Sequence, residues 1–537
     1  MVDILSIGAG ATQLYRSALS TVSNNIANMN TEGYTRQVST SEQNVPVPQG
    51  GMYIGNGSRL GDVARAFSEF NESNLRNSSS ELGTQDPLIK YADRIVDVMG
   101  SGTSSLSSAF DQFFSAASNL SGDPASRALR NLYLRDAEGL AARFRELSGQ
   151  LSNIEQDTQA EINLKLTSLN ELGKQLFTVN QQLAKKATLN GQPPNLLDKR
   201  DGILRDMAEI AKIHVTHSDS GTVEVRLDNQ NGTPVVDSLR STVFSATFDA
   251  TQPGQVEILA NVYGAASPTN SVTGGSLGGL LNFRSQALAP AITGLNELAV
   301  ITATEINTLQ TTGVDANGER GTDLFDAAVT TTGAAGFTLL QSDPLKVAAA
   351  GLLKITGGAL NSGGATLNHG EIAAGVATPA FTINFAAETG YEINGAAIAV
   401  DADGGFTFEG INYTFTGTPA DGDSFTVGLN ASALGDNRNM LLMARLQDKA
   451  TYADGRSMGE GYLDLVRKVG NTSALAKISQ DALQAVFDQA VSEKDKLSGV
   501  SLDQEAADLI RFQQAYQASA QIIQTSTKMF DSILGIR

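Results

Sequence analysis

Apolar positions near the start of the chain, Ile4, Ile7, Ala11, Leu14, Ala18, Val22 and Ile26, recur at alternating steps of three and four. That spacing predicts an amphipathic helix. It stops in Asn28-Met29-Asn30-Thr31-Glu32-Gly33, where Asn and Gly favour a turn and a left-handed cap. Residues 50–60 read as a Gly-rich extended segment, with helix resuming from about Asp62 and a second helical block from Pro87. Asp123-Pro124 has the form of a helix start, an N-cap acceptor before Pro at the first helical position. Leu147, Leu151, Ile154, Leu166, Leu169, Leu172 and Leu176 then follow at helical spacing without a Pro until Pro193-Pro194, which is expected to end the run.

Two stretches change to period two. In 213–259, Val223, Val225 and Leu227 alternate and Val256 and Ile258 follow. In 381–427, Phe381-Ile383-Phe385, Phe406-Phe408 and Ile411-Tyr413-Phe415 alternate, with Glu409-Gly410 as a hairpin turn. Between Thr330 and Gly435 the basic side chains are Lys346 and Lys354 against nine acidic ones, which marks an inserted β domain with edges near Ala327 and Leu434. Helix resumes at Asp436. In the last segment Leu502, Leu509, Tyr516, Ile523 and Phe530 repeat every seven residues, a coiled-coil seam, with Ile533 and Leu534 on a second apolar edge. Ser501 with Gln504 and Glu505 supplies capping chemistry at its start. A helix apolar on more than one side needs more than one partner, so the two ends are expected to order only when neighbouring subunits cover them.

These patterns define an α+β multidomain chain: a terminal α-helical coiled coil and a helical bundle, with inserted β-rich domains. The expected division is 1–50 with 500–537 as a terminal assembly domain, and 51–211 with 269–326 and 436–499 as a helical-bundle core. The remainder is a small β region at 212–268 and an outer β domain at 327–435. A length of 537 residues suits several domains at roughly 150 residues each.

Composition narrows the chemistry. The net charge of −19 argues against nucleic acid or an anionic membrane surface as partner. With no Cys there is no disulfide, thiolate metal site or Cys nucleophile, and three His leave little imidazole chemistry, so no enzyme activity, metal or cofactor is expected. Residues 1–10 lack the basic start and apolar core of a cleaved secretion signal, and no membrane span is expected. That leaves a cytosolic protein or one exported without signal cleavage.

Three short motifs are weaker than they look. Gly274-Gly275-Ser276-Leu277-Gly278 fits the hydrolase G-x-S-x-G pattern, but the only later His is His369, and Ser276 reads better as a helix cap. His214 and His217 are three apart in a β-like stretch, which places them on opposite faces. Asp315-Ala316-Asn317-Gly318-Glu319 starts like a calcium loop but has Arg320 where Gly is needed and Asp326 where the bidentate Glu belongs, so a surface turn is expected.

The longest pattern is terminal. Asn25-Ile26-Ala27-Asn28, Asn30-Thr31, Gly33-Tyr34 and Arg36-Gln37, continued by Gly51–Arg65, resemble the N-terminal signature of bacterial flagellar axial proteins: rod, hook and hook-associated. Ser498-Gly499-Val500-Ser501-Leu502 with Phe512-Gln513-Gln514-Ala515-Tyr516-Gln517-Ala518 resembles the matching C-terminal signature, most closely that of the hook–filament junction members. Asp508 and Gln521 replace an expected Asn and Lys. The helical block at 62–210, together with Asn195–Asp201 and Val272–Arg284, also favours the junction members over a hook protein.

The resemblance implies a structural subunit of the junction between hook and filament, needed for flagellum assembly and motility. It would be exported by the flagellar type III route to the cell exterior without a cleaved signal peptide. Implied partners are further copies of itself, hook protein below, a second hook-associated junction protein above, and an export chaperone at the C-terminal segment. The implied assembly interface is Ile4, Ile7, Leu14, Ala18, Asn25, Ile26, Asn28, Thr31, Gly33 and Tyr34 with Leu502, Leu509, Phe512, Tyr516, Ile523, Phe530, Ile533 and Leu534. Another axial component, rod or hook, is the alternative within the class; a secreted serine hydrolase is the alternative outside it.

Overall fold

The computed structural model describes residues 4–534 apart from 50, 101, 103, 104, 190, 250, 251, 253, 374, 379 and 432. The helices are α1 (Ile4–Ala27), α2 (Glu69–Gly83), α3 (Gln85–Met99), α4 (Leu106–Gly122), α5 (Arg127–Leu183), α6 (Pro194–Ile210), α7 (Gly275–Phe283), α8 (Ala289–Thr311), α9 (Val329–Thr332), α10 (Arg438–Arg445), α11 (Met458–Ser498) and α12 (Leu502–Leu534). The chain divides into two compact units, Met1–Lys90 with Asp157–Arg284 and Ser473–Arg537, and Tyr91–Gln156 with Ser285–Thr472. Residues expected to form one helical bundle are therefore shared between both units.

In the first unit, the ribbon of β1 (Gln37–Gln43) and β4 (Ser58–Arg65) encloses the small hairpin β2 (Val47–Gln49) and β3 (Met52–Ile54). This corrects the helix expected from Asp62: residues 62–65 pair with β1, and α2 begins only at Glu69, where Ser68 caps it by accepting from the Asn71 N–H. Ser68→Ala is expected to lower stability by about 1 kcal/mol in thermal unfolding, the usual cost of an N-cap oxygen. Two three-stranded antiparallel sheets follow. One is β5 (Ile213–His217), β6 (Val223–Leu227) and β7 (Pro234–Val236); the other is β8 (Val243–Phe248), β9 (Val256–Asn261) and β10 (Ala266–Thr269). Val223, Val225 and Leu227 are all buried, as their alternation requires.

The long apolar run is one unbroken helix of 57 residues, α5, which at 1.5 Å per residue is about 85 Å long. Both of its expected ends move. Asp123 closes α4 as its C-cap, and Ser126 opens α5, its Oγ accepting from the Leu129 N–H. At the far end α5 stops at Leu183, and Pro193-Pro194 instead start α6, where Pro needs no amide partner.

The second unit packs Phe113 against Phe114, Tyr133 and Phe325, and Phe144 against Phe337 at 4.6 Å between ring centroids. The guanidinium of the buried Arg130 is held there by the carbonyls of Pro124 and Val347. The short pair β11 (Gly313–Val314) and β12 (Ala350–Gly351) leads into a β-sandwich spanning 353–429. One of its sheets orders β13 (Leu353–Gly357), β20 (Ser424–Leu429), β15 (Phe381–Ala386), β16 (Gly390–Ile393) and β17 (Ala396–Ala397). The other orders β14 (Thr366–His369), β19 (Ile411–Thr416) and β18 (Gly405–Phe408). Phe381, Ile383, Phe425 and Val427 from the first face Phe406, Ile411, Tyr413 and Phe415 from the second across a shared core. Glu409 and Gly410, both at positive φ, turn β18 into β19.

The run Gly275–Thr311 has the length and hydropathy of a membrane span, which the sequence reading did not anticipate. Its Leu277, Leu280, Phe283, Leu288, Leu295 and Leu298 are buried in the protein, and a π-turn at Arg284–Leu288 interrupts it.

Candidate assembly interface

The two terminal helices lie antiparallel along one another: Gly8 meets Ile523, Tyr15 meets Phe512 at 6.3 Å between ring centroids, and Asn25 meets Glu505. Gly8 has a physical reason to lack a side chain. A Cβ there would sit 2.9 Å from Ile523 Cγ1, so the helices could not approach as closely. Leu14, Ala18 and Val22 are buried, Ile7 and Ile26 are half-buried, and Ile4 is 52% exposed.

On α12 the contact with α1 follows two lines. Leu509, Tyr516 and Ile523 are half-buried, as is Phe512, while Glu505, Ser519 and Ser526 are buried. The sevenfold line expected to form the seam is thus half right. Its outer members Leu502 and Phe530 are 49% and 60% exposed, and small polar residues take seam positions instead. Ile510, Ile522 and Met529 are also exposed. The side chains of Ile533 and Leu534 lie outside the described residues. Both ends therefore pair within one chain, and what remains uncovered on α12 is Leu502 and Phe530 at the ends of the seam, Ile522 and Met529 on the flank beside Ile4, and Ile510 on the other flank.

The polar end of the pair is built around Asn25, which is 1% exposed. Its Nδ2 donates to Glu505 Oε2 at 3.0 Å and to the Gln37 carbonyl at 2.9 Å. Its Oδ1 accepts from the Tyr34 hydroxyl at 2.7 Å and the Gln37 N–H at 3.0 Å. All four hydrogen-bonding positions of the amide are filled, so a change of residue type would strand a buried partner. Glu505 takes Arg36 Nε on its other oxygen at 2.6 Å, and Arg36 also reaches Asp508 at 3.6 Å. The Asp that departs from the family pattern is therefore absorbed into this pair. Glu505 serves the other terminus rather than the start of its own helix, which corrects the capping role expected from Ser501, Gln504 and Glu505.

The turn after α1 is tied down in the same way. Asn28 donates to the Asn24 carbonyl and accepts from the Thr31 hydroxyl, while Gly33 takes the left-handed conformation at φ 75°. The Arg36 N–H donates to the Ser498 carbonyl, and Ser498 Oγ to the Ala66 carbonyl, so the C-terminal segment joins the ribbon just before α12. On the far side Arg65 bridges Asp198 and Asp201 at 2.7 and 2.8 Å, and Arg205 bridges Glu72. Glu505, Arg36, Gln37, Ser498, Arg65 and Asp198 were not singled out as interface residues from the sequence. The available signal was an acid at a seam position of α12 opposite Asn25 on the buried side of α1.

Burial, then the charges of Asp198 and Glu505, push the Tyr34 hydroxyl up from 10.0 to about 12. The folded state therefore favours the protonated phenol. Its contribution is complete below pH 10 and is lost as pH rises from 10 through about 12. A phenolate absorbance titration is expected to show Tyr34 among several late-ionising tyrosines, its ionisation accompanied by loosening of the termini, and Tyr34→Phe to remove that one contribution from the late phase.

The other motifs resolve into structure. Ser276 lies inside α7 rather than at its cap: Gly274 occupies the cap position with no side-chain bond, and the Ser276 hydroxyl is buried without a hydrogen-bond partner. Gly275, at φ 60°, is needed there because a Cβ would sit 2.3 Å from the Ile210 carbonyl carbon. His214 and His217 pair across β5 with Arg226 and Val223, and His217 Nδ1 lies 2.7 Å from Glu69. The turn at Asp315 bonds its own backbone N–H groups, and the Lys346 ammonium approaches Asp315 and Glu319. No group of three or more potential metal ligands occurs among the described residues.

The terminal segments and the helical body both match sequence models of bacterial flagellar axial proteins. The sequence model of the flagellar hook-associated protein FlgK helical domain matches residues 92–325; that of the flagella basal body rod protein matches 5–35, and that of the flagellar basal body rod FlgEFG protein C-terminal matches 496–536. Flagellar hook-associated protein 1 of Escherichia coli K12 is 28% identical over the whole of both chains. That of Bacillus subtilis is 23% identical, over 98% of this chain and 96% of its own. The flagellar hook junction protein FlgK from Burkholderia pseudomallei shares the fold at a TM-score of 0.68, with 22% identity over 79% of this chain and 100% of that one. Over its whole length the chain is similar to flagellar hook-associated protein 1, and it is a structural component of the flagellar axis at the hook–filament junction.

Proposed function

We propose that this chain polymerises through its terminal helices into the zone that joins hook to filament. The observation that carries the reading is the set of apolar side chains of α12 that α1 leaves exposed: Leu502 and Phe530 beyond the two ends of the paired seam, Ile522 and Met529 on one flank and Ile510 on the other. Exposed apolar side chains concentrated on one helix mark a contact surface, and further copies of the chain supply its cover at every step of a helical stack. The expected interface residues of both termini, with 1–50 and 500–537 as the assembly domain, are the elements that carry it. The bundle segments and the 212–268 region support them, and the 327–435 region is the outer domain. Hook protein lies below, and a second hook-associated protein builds on the last layer.

Before assembly the same exposed side chains suit an export chaperone that binds the C-terminal segment, and export proceeds to the cell exterior without cleavage of a signal. The role is structural rather than enzymatic. The buried Ser276 hydroxyl, in a helix rather than on an exposed strand-to-helix turn, supports that reading over the hydrolase one.

Purified full-length chain added to isolated hooks is expected to decorate their distal ends, and a chain shortened after Ser498 to leave them bare. Equal decoration by both would overturn the proposal.

A further inference from the structure

A second pair of uncovered surfaces exists away from α1 and α12. In the second unit a groove of about 920 Å³ opens between α10 and the β13–β14 side of the sandwich. Its floor is apolar, with Leu352 and Leu367 buried, and its lip carries Leu441 and Leu442, which are 38% and 47% exposed. Four cations line it, Lys354, Arg438, Arg445 and Lys449, against the single acid Glu371, in a chain whose net charge is −19. Arg438 is paired with Asp436 and Lys449 with Glu305. Lys354 and Arg445 have no acidic partner among the described residues.

The complementary surface is on α11. Leu475, Ile478 and Val486 are 65%, 67% and 54% exposed, and with Ala482 they fall at steps of three and four along one side of the helix. The row is about 17 Å long at 1.5 Å per residue. Asp481 and Asp488, seven residues apart on its flank, have no basic partner among the described residues; Asp488 accepts only from Gln484. An apolar row edged by acids thus stands unpartnered on the same chain as an apolar groove edged by bases.

We propose that the Leu475–Val486 row of α11 in one copy docks into the groove beneath α10 in a neighbouring copy, with Asp481 and Asp488 facing Lys354 and Arg445. Apolar burial supplies the attraction, and the charges fix which side of the helix enters. The two surfaces differ, so the contact is heterologous and propagates from copy to copy as a helical stack requires. The inference rests on the polymerisation proposed above and adds to it a contact that the terminal helices do not make.

The chain has no Cys, so a pair of introduced thiols reports without background. Leu442→Cys with Ile478→Cys, both at exposed positions, is expected to yield a ladder of oxidised dimers and longer species in junctions isolated from cells. Neither single variant should climb beyond a dimer. As a second readout, Lys354→Glu with Arg445→Glu should weaken incorporation by about tenfold or more through like-charge apposition, and Asp481→Lys with Asp488→Lys in the same chain should restore it. Junctions that contain the double-Cys protein but give only monomer, or an internal disulfide, would overturn the inference while leaving polymerisation intact. Failure of the unaltered chain to assemble would instead remove the reading on which it rests.

Discussion

Glu505→Ala is expected to lower the stability of the terminal helix pair by about 2–4 kcal/mol. The carboxylate side chain is 1% exposed and joins two residues 469 and 480 positions away, Arg36 and Asn25. Removing one partner of a buried pair costs about 3–5 kcal/mol, because the other is left desolvated and unpaired. Here the cost is discounted, since the Arg36 side chain keeps 16% of its exposure and retains Asp508 at 3.6 Å. Glu505→Gln should recover about half the loss, since the amide oxygen can still accept from one of the two donors. Hydrogen exchange resolves the effect: amides of α1 and α12 should speed up together in the Ala variant, while those of the sandwich core stay protected. Unchanged exchange of α1 would show that the apolar contacts alone hold the pair.

The second large effect concerns assembly rather than folding. Met529→Asp combined with Phe530→Asp, at positions 55% and 60% exposed, should leave the chain folded, with an unaltered circular dichroism spectrum, and reduce incorporation into junctions by at least about a thousandfold. Each side chain contributes about 1.5–3 kcal/mol when covered, and burying the introduced carboxylates adds to the loss. A loss of about 4 kcal/mol already corresponds to that factor. Ile523→Asp makes the control, since Ile523 packs on Gly8 inside the chain and its loss should also lower the melting temperature. Normal incorporation of the Met529 and Phe530 variant would show that this end of α12 is not where copies meet.

The parts of the fold legible in the sequence were those in which local pattern and burial agree. Leu14, Ala18 and Val22 mark the packed side of α1 at helical spacing, and Ile411, Tyr413 and Phe415 alternate into the sandwich core. The β1–β4 ribbon was missed because Gln37–Gln43 is almost entirely polar and largely exposed, so its strand character comes from backbone pairing with β4 rather than from an apolar face. Asp123 and Pro193 were assigned to the wrong neighbouring helix, since either side chain suits an end as well as a start. Glu505 was legible only as a capping residue, because the partner that gives it another role lies on α1. The sevenfold line through Leu502 and Phe530 was real as a pattern, but a repeat does not say how far along it the partner helix reaches, and α1, with 24 residues against 33 in α12, leaves both ends of the line exposed.

The most direct test of the junction role is electron microscopy of cells lacking this protein, with flagellin assayed in the medium. Completed hooks without filaments, together with shed flagellin, are the predicted result. Normal filaments would contradict the account, and absent hooks would contradict it differently, by moving the protein down to the rod or hook.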